Sequence, residues 1–282
     1  MKKILVPTDF STQAEIAVDA AIKIATITKS PILFYHCSED LPMGWESWPL
    51  REKDKYPDSK KLMETLEEKM SQYKDRCDQE KLIAKSWIDT GKFVENIEDL
   101  IKKEGCDFVV MGSHGASGKQ EFFIGSNTQK VIRKIHSNLL IIKEPVKDIH
   151  FRKILFGTDL SIPDQEAFSK FLSLIKIFEP QEIHLLTIDT PGFFTQPRIL
   201  IKERQKDFEK MAFNYHFKTH FVRNFTVETG IRKFSQDLGI DLIAISNYER
   251  HPLKRIFSGS NVEMLANHSS VPVLSLDREQ EN

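Results

Sequence analysis

Residues 107–128 read DFVVMGSHGASGKQEFFIGSNT, an apolar run followed by a glycine-rich segment. Gly112, Gly115 and Gly125 are spaced as G-x2-G-x9-G-S within it. The apolar run predicts a buried parallel strand, and the residues after Gly125 predict a helix. Glycine lets a backbone approach a ligand closely, and the free N–H groups at a helix start favour an anion. The pattern therefore predicts a phosphate-binding loop between a strand and a helix.

The spacing differs from the two best-known phosphate-binding motifs. A P-loop requires Gly-x4-Gly-Lys followed by Ser or Thr. Here five residues separate Gly112 from Gly118, and Gln120 follows Lys119. The dinucleotide fingerprint G-x-G-x-x-G does not occur in the chain. For a single glycine motif of this kind, an ordinary βα loop remains the alternative interpretation.

Two segments of the first half recur in the second half. Residues 3–11, KILVPTDFS, return as KILFGTDLS at 153–161. Residues 124–127, IGSN, return as SGSN at 258–261. Because one match lies at the first predicted strand and the other at the last loop, the chain is predicted to contain two copies of one domain.

The predicted domains span residues 1–145 and 151–282 and are joined by a short linker. In each, five strands alternating with four helices predict a parallel, doubly wound, Rossmann-like α/β sheet with helices on its faces. Ligands of such sheets bind beyond the carboxyl ends of the strands, where Thr8, Asp9 and Gly112 are expected. The predicted strands are 3–7, 31–37, 82–89, 107–111 and 138–143 in the first domain, and 153–157, 182–188, 220–228, 241–246 and 271–276 in the second.

Composition narrows the class of protein. The 282 residues carry a formal net charge of −1, which gives no electrostatic support for general nucleic-acid binding. The apolar run near the N-terminus is too short for a signal peptide, and no apolar segment is long enough to span a bilayer, so we expect no membrane association. Cys37, Cys77 and Cys106 are scattered and odd in number, which favours a reducing compartment and a cytoplasmic location.

These segments together resemble the universal stress protein family in its tandem, two-domain form. The resemblance is carried by residues 4–11, by His36 and Cys37, and by residues 111–115 with 125–128. It implies an adenine nucleotide α hydrolase-like fold in both halves. The glycine spacing resembles that of the ATP-binding branch of the family, so the first domain is expected to bind ATP. The implied function is an ATP-binding regulatory module of the stress response.

The family resemblance also implies roles for individual residues of the first domain. Magnesium would accompany the triphosphate, held mainly by phosphate oxygens and water. His114 lies within the matched segment and is therefore also counted among the implied nucleotide-binding residues. The implied contacts are the adenine and its sugar for Pro7, Thr8 and Asp9, the adenine edge for Cys37 with His36 behind it, the ribose for Met111 and Gly112, and the phosphates for Gly115, Gly125, Ser126, Asn127 and Thr128.

The second domain departs from this pattern. Ser246 and Glu249 stand where the first domain has Gly112 and Gly115, and Gly157 replaces Pro7. The added side chains hinder backbone approach, and a carboxylate repels phosphate. We therefore expect ordinary ATP binding to be lost here. The basic residues of the following loop either hold a different anion or are simply solvated. They are Arg250, His251, Lys254 and Arg255.

Several residues of the first half have competing interpretations. Asp9 is either a ligand contact or a turn residue and helix cap. His36, Cys37 and His114 could gather around zinc, although they lack the usual compact ligand spacing. Trp45 and Trp48 form either a partner-binding patch or a cover for an exposed core edge.

The sequence also leaves alternatives open for the function and the assembly of the protein. No convincing general base, paired carboxylates or nucleophile–base pair stands out, so enzymatic activity beyond slow ATP hydrolysis is not expected. A ligand-free interaction protein with a vestigial site is the other alternative, and the protein partner is unknown. Strands 138–143 and 271–276 are apolar sheet edges, so we predict that they pair antiparallel in an intramolecular pseudo-dimer of the two domains. Homodimerisation of whole chains stays open.

Overall fold

The computed structural model describes residues 1–113, 124–191, 197–247 and 260–277. These residues form two compact units. The first unit contains residues 1–113 and 125–137, and the second contains Ile124 and the described residues from Asn138 onward. Among the described residues, no helix combines the length and the apolar character needed to cross a membrane.

The first unit alternates strands and helices. Its strands lie in the order β3-β2-β1-β4, and the three pairings are parallel. The chain runs from β1 outward to β3 and then returns to the other side of β1, which makes the β1–β4 boundary the switch point of the sheet. The elements are β1 (Ile4–Pro7), α1 (Thr12–Thr28), β2 (Ile32–Ser38), α2 (Leu50–Lys53), α3 (Pro57–Gln79), β3 (Ala84–Thr90), α4 (Phe93–Glu104), β4 (Phe108–Gly112) and α5 (Ser126–Lys134).

The second unit repeats that order and adds one strand. Its strands lie in the order β8-β7-β6-β9-β10, parallel throughout, and β5 then joins β10. The predicted tandem α/β fold with parallel sheets is confirmed. The elements are β5 (Asn138–Ile142), β6 (Lys153–Gly157), α6 (Ile162–Leu174), β7 (Glu182–Asp189), α7 (Arg198–Met211), β8 (Phe217–Arg223), α8 (Val227–Leu238), β9 (Leu242–Ser246), α9 (Asn261–His268) and β10 (Val273–Leu276).

The turn after the first strand of each repeat is held by short side chains. Thr8 Oγ1 accepts the N–H of Phe10 at 3.0 Å, and Asp9 Oδ1 accepts the N–H of Ser11 at 3.0 Å. Phe10 takes a left-handed φ of 60°, and Ser11 then caps α1 by accepting the N–H of Ala14. This geometry supports the interpretation of Asp9 as a turn residue. Equivalent bonds at 2.9 and 2.8 Å and a φ of 61° recur at Thr158, Asp159, Leu160 and Ser161.

The segment between β2 and α3 covers part of the core. Trp45 is buried against Leu41 and Leu66, and Trp48 packs beside them. The tryptophans therefore close a core edge, which was the second of the two interpretations.

One predicted strand of the second domain was wrong in its bounds. The expected strand 220–228 is displaced to β8, which begins at Phe217 and ends at Arg223. Thr226 caps α8 by accepting the N–H of Thr229 at 3.1 Å, so Val227 and Glu228 enter the helix. Side-chain capping competes with strand pairing at such positions, and here the cap prevails.

Strand β5 pairs antiparallel with β10, as predicted. Ile141 lies opposite Val273, and Leu140 lies opposite Leu274. The N–H of Asp277 donates to Asn138 Oδ1 at 3.2 Å beyond the end of the ladder. The pairing covers an apolar strand that would otherwise be an open edge.

Helix α1 approaches β4 very closely at Gly112. A Cβ added to Gly112 would lie 2.6 Å from the carbonyl oxygen of Gln13 and 2.9 Å from its carbonyl carbon. Because the obstacle is backbone, no side-chain rotation relieves it. Glycine is therefore required at the end of β4 for packing, whatever the loop binds.

Residues 1–145 expressed alone should dimerise or aggregate, because the cut leaves β5 without β10 and exposes an apolar edge strand. Sedimentation velocity over a concentration series measures this, with the full chain as the control. A fragment that stays monomeric at high concentration would contradict the prediction.

Gly112→Ala should lower the free energy of unfolding by about 1–3 kcal/mol, the usual range for overpacking. Gly157→Ala is the matched control, because its added Cβ meets the tip of Ile231 at 2.9 Å and that side chain can turn away. Urea denaturation of both variants measures the difference. A loss at Gly157 equal to that at Gly112 would show that the approach of α1 is not the constraint.

Candidate functional site

A cleft of about 500 Å³ lies at the switch point of the first unit. It is bounded by the carboxyl ends of β1, β2 and β4 and by the start of α5. His114 and Gly115 lie outside the described residues. The structure brings the other predicted site residues together in the cleft lining: Pro7, Thr8, Asp9, His36, Cys37, Met111, Gly112, Gly125, Ser126, Asn127 and Thr128.

His36 holds the backbone at the end of β1. Its Nδ1 lies 2.8 Å from the carbonyl oxygen of Thr8, so this nitrogen carries the proton and donates. Burial lowers the pKa of His36, so the ring is neutral at pH 7. Within the described part of the chain, no group of three or more metal-binding side chains is present. The hydrogen bond to Thr8 supports a positioning role for His36.

Cys37 lies at the end of β2 and is half-buried. Its thiol donates to the carbonyl of Gly91 at 3.5 Å. Burial raises the pKa of the Cys37 thiol, so the protonated form dominates at neutral pH. The side chain is thus a weak nucleophile.

Helix α5 begins without a side-chain cap. Gly125 is its N-cap residue and donates its own N–H to the carbonyl of Ser113 at 2.8 Å. The N–H groups of Ser126, Asn127 and Thr128 are the next in the helix, where no intrahelical acceptor exists. Ser126 and Asn127 are exposed at the cleft. The helix start therefore presents backbone donors and the positive end of its dipole to any anion there.

Thr128 has a structural bond in addition. Its Oγ1 donates to the carbonyl oxygen of Gly112 at 3.0 Å, and the side chain is fully buried. This bond ties the start of α5 to the end of β4. The hydroxyl proton is therefore committed to the protein, and the N–H of Thr128 is the donor left for a ligand.

The lining also includes charged residues that sequence reasoning missed. Glu39 and Asp40 follow β2, and together with Asp9 they put carboxylates on one side of the lining. Lys130 lies one turn into α5 and adds a cation beside its uncapped start. Lys130 could have been identified from the sequence by its position five residues after Gly125. The cleft thus has one side with Lys130 and the uncapped helix start and another side with carboxylates.

The corresponding cavity of the second unit is smaller, about 110 Å³. Ser260 caps α9 by accepting the N–H of Glu263 at 3.1 Å, and both residues are buried. The Ser-x-x-Glu spacing is that of a capping box, which satisfies the helix start from within. In the equivalent position of the first repeat, Ser126 is already inside the helix. Helix α9 therefore lacks the open start that α5 has.

A buried carboxylate also distinguishes the second cavity. Asp164 occupies the position that Ala14 has in the first repeat, and its Oδ2 accepts from Thr158 Oγ1 at 2.8 Å and from the N–H of Asp159 at 2.9 Å. Burial raises the pKa of Asp164 to about 6. Sequence reasoning missed this residue, although the 150-residue offset between the repeats aligned it with Ala14.

The remaining departures of the second repeat reduce its space further. Ile231 lies over Gly157, the counterpart of Pro7, so close that a Cβ there would be 2.9 Å from its tip. Ser246 places a buried side chain where the first repeat has Gly112. Glu249 lies outside the described residues. This cavity therefore differs from the first cleft in three ways: it is smaller, the start of α9 is capped, and it contains a buried carboxylate.

Comparison with known proteins agrees with the repeat and the fold. A model of the universal stress protein family matches residues 1–143 and again residues 150–276. The universal stress protein MJ0577 of Methanocaldococcus jannaschii is 30% identical over 153 residues, which cover 50% of this chain and 94% of that protein. Slr1230 of Synechocystis, another universal stress protein, is 24% identical over 187 residues, or 66% of this chain and 62% of that protein.

A solved structure extends the likeness to the whole chain. A universal stress protein from Archaeoglobus fulgidus superimposes with a TM-score of 0.73 at 19% identity and covers 98% of both chains. At that identity the likeness concerns the fold alone. Because the family model covers both halves in tandem, the chain belongs to the universal stress protein family.

Proposed function

We propose that the first repeat binds ATP in its cleft and that the chain is a nucleotide-binding regulatory protein of the stress response. The observation that carries this proposal is the uncapped start of α5, which opens on a cleft at the sheet's switch point. The second repeat has the same fold but a capped helix, so the open start is a property of this site and not of the fold.

The size of the cleft suits a nucleoside triphosphate. Ligand pockets commonly measure about 300–1,000 Å³, and the first cleft, at about 500 Å³, lies in that range. One buried water requires roughly 15 Å³. If each non-hydrogen ligand atom needs as much, the first cleft has room for roughly thirty such atoms, the size of ATP. The same allowance gives the second cavity, at about 110 Å³, room for only about seven.

The polarity of the cleft suits the two ends of ATP. The triphosphate would lie at the α5 start, held by the N–H groups of Ser126 to Thr128 and by Lys130. The adenine amino group and the ribose hydroxyls are donors, and they would face the β1 and β2 ends, where Asp9, Glu39 and Asp40 supply acceptors. Magnesium would be held mainly by the phosphates and water.

The regulatory interpretation follows from what the lining residues do. His36 donates to Thr8, Thr128 donates to Gly112, and Cys37 is protonated, so these three hold the site together instead of attacking a phosphate. We infer that ATP occupancy changes what a protein partner recognises. Slow ATP hydrolysis is the alternative. Chromatography of the nucleotide released from the denatured protein separates the two: bound ATP supports the regulatory interpretation, and bound ADP supports hydrolysis.

Ser126→Asp should weaken ATP binding about tenfold or more, while leaving thermal stability unchanged or slightly raised. An acidic side chain at a helix start is favourable for the helix and unfavourable for a phosphate in the same place. Isothermal titration calorimetry and thermal unfolding measure the two effects. Ser126→Asn is the control of similar size without the charge, and equal ATP affinity for the two variants would argue against phosphate at this helix.

The full chain should bind one ATP. Ala14→Asp transfers the carboxylate of Asp164 to the first cleft, where the hydroxyl of Thr8 and the N–H of Asp9 can donate to it as their counterparts do in the second repeat. We expect loss of ATP binding in this variant and a smaller effect of the uncharged Ala14→Asn. Calorimetric stoichiometry is the measurement, and two equivalent sites in the unmodified chain would refute the proposal for the second repeat.

A further inference from the structure

The cavity of the second repeat has chemistry of its own. It is enclosed by the ends of β6, β7 and β9 and by the starts of α6, α8 and α9. About half of its wall is apolar. The apolar side chains are Leu186, Ile188, Val227, Ile231, Ile245 and Val262.

A polar group in this wall lacks a partner. Ser246 is 7% exposed, and its Oγ has no hydrogen-bond partner in the described structure. A buried hydroxyl without a partner costs about 1–3 kcal/mol. Because Ser246 lines the cavity, a bound molecule could supply the missing bond.

The charged side chains of the described lining are all acidic. Asp164 is buried, its Oδ2 accepts from Thr158 Oγ1 and from the N–H of Asp159, and its carboxyl group also interacts with the side chain of Asp159. Asp159 is the second carboxylate, and the described lining contains no basic side chain. A cation would gain from both carboxylates in a site shielded from water, whereas an anion would be repelled.

We propose that the second repeat binds a small organic ammonium ion, with its N–H donors on Asp164 and Ser246 and its hydrocarbon body against the apolar wall. The volume limits it to about seven non-hydrogen atoms. A metal ion fits the cavity poorly, because the described residues contain no group of three metal-binding side chains and about half of the wall is apolar.

The test uses the full chain at neutral pH and n-butylammonium as the probe. Calorimetry, with ligand-observed NMR for weak binding, should give one saturable site per chain. Neutral n-butanol should bind at least about tenfold more weakly, because it has the same body without the charge. Equal binding of n-butanol, or no saturable binding of n-butylammonium, would overturn the proposal.

Two variants locate the probe. Asp164→Asn should reduce n-butylammonium affinity about tenfold or more. Ser246→Ala should reduce it by about threefold to tenfold without lowering thermal stability, because the hydroxyl it removes has no partner in the protein. Unchanged affinity in either variant would refute the site. Because Ser246→Ala removes no existing bond, it remains informative if Asp164→Asn folds poorly.

Two controls separate this site from other acidic surfaces. Glu203→Gln removes an exposed carboxylate of α7 and should leave n-butylammonium binding unchanged. Excess ATP should not displace the probe, since the first cleft is a different site. Displacement by ATP, or loss of binding in Glu203→Gln, would place the probe elsewhere and overturn the proposal. The outcome is independent of whether ATP itself binds.

Discussion

The structure of each repeat depends on the turn between its first strand and first helix. A threonine hydroxyl and an aspartate carboxylate accept the next free N–H groups, and a non-glycine residue takes a left-handed φ between them. This turn sets where α1 begins, and the start of α1 lies against the backbone of β4 at Gly112. The same turn also presents Thr8 and Asp9 to the cleft. One local motif thus fixes both the packing of the sheet and one wall of the site.

The two repeats use this shared frame for opposite electrostatics. In the first, an uncapped helix start and Lys130 make one side of the cleft attractive to anions. In the second, Ser260 satisfies the helix start and Asp164 adds a buried negative charge. A few side chains therefore change the electrostatic character of the cavity while the backbone topology stays the same. The fold does not by itself determine the chemistry of the site, as in other α/β proteins.

Most of the architecture could be predicted from the sequence, because apolar strands, helix caps and the internal repeat are local signals. The tandem α/β fold and the antiparallel pairing of β5 with β10 are confirmed. The bounds of β8 were wrong, since an alternating pattern does not reveal that Thr226 starts a helix. For the candidate site, the predicted residues that the structure describes line one cleft, but Glu39, Asp40 and Lys130 were missed because their convergence is set by tertiary structure. The roles of the predicted contact residues stay predictions.

The close approach at Gly112 has a consequence for how the two repeats can diverge. In the first repeat a Cβ at this position collides with the backbone of Gln13, yet Ser246 carries one without such a collision. The contact of α1 with β4 is correspondingly more extensive than that of α6 with β9. Because α6 lies less closely on β9, glycine at position 246 would leave a void and would not create the close contact of the first repeat. The residue at this position and the placement of the helix are matched within each repeat, so exchanging the residue alone does not exchange the geometry.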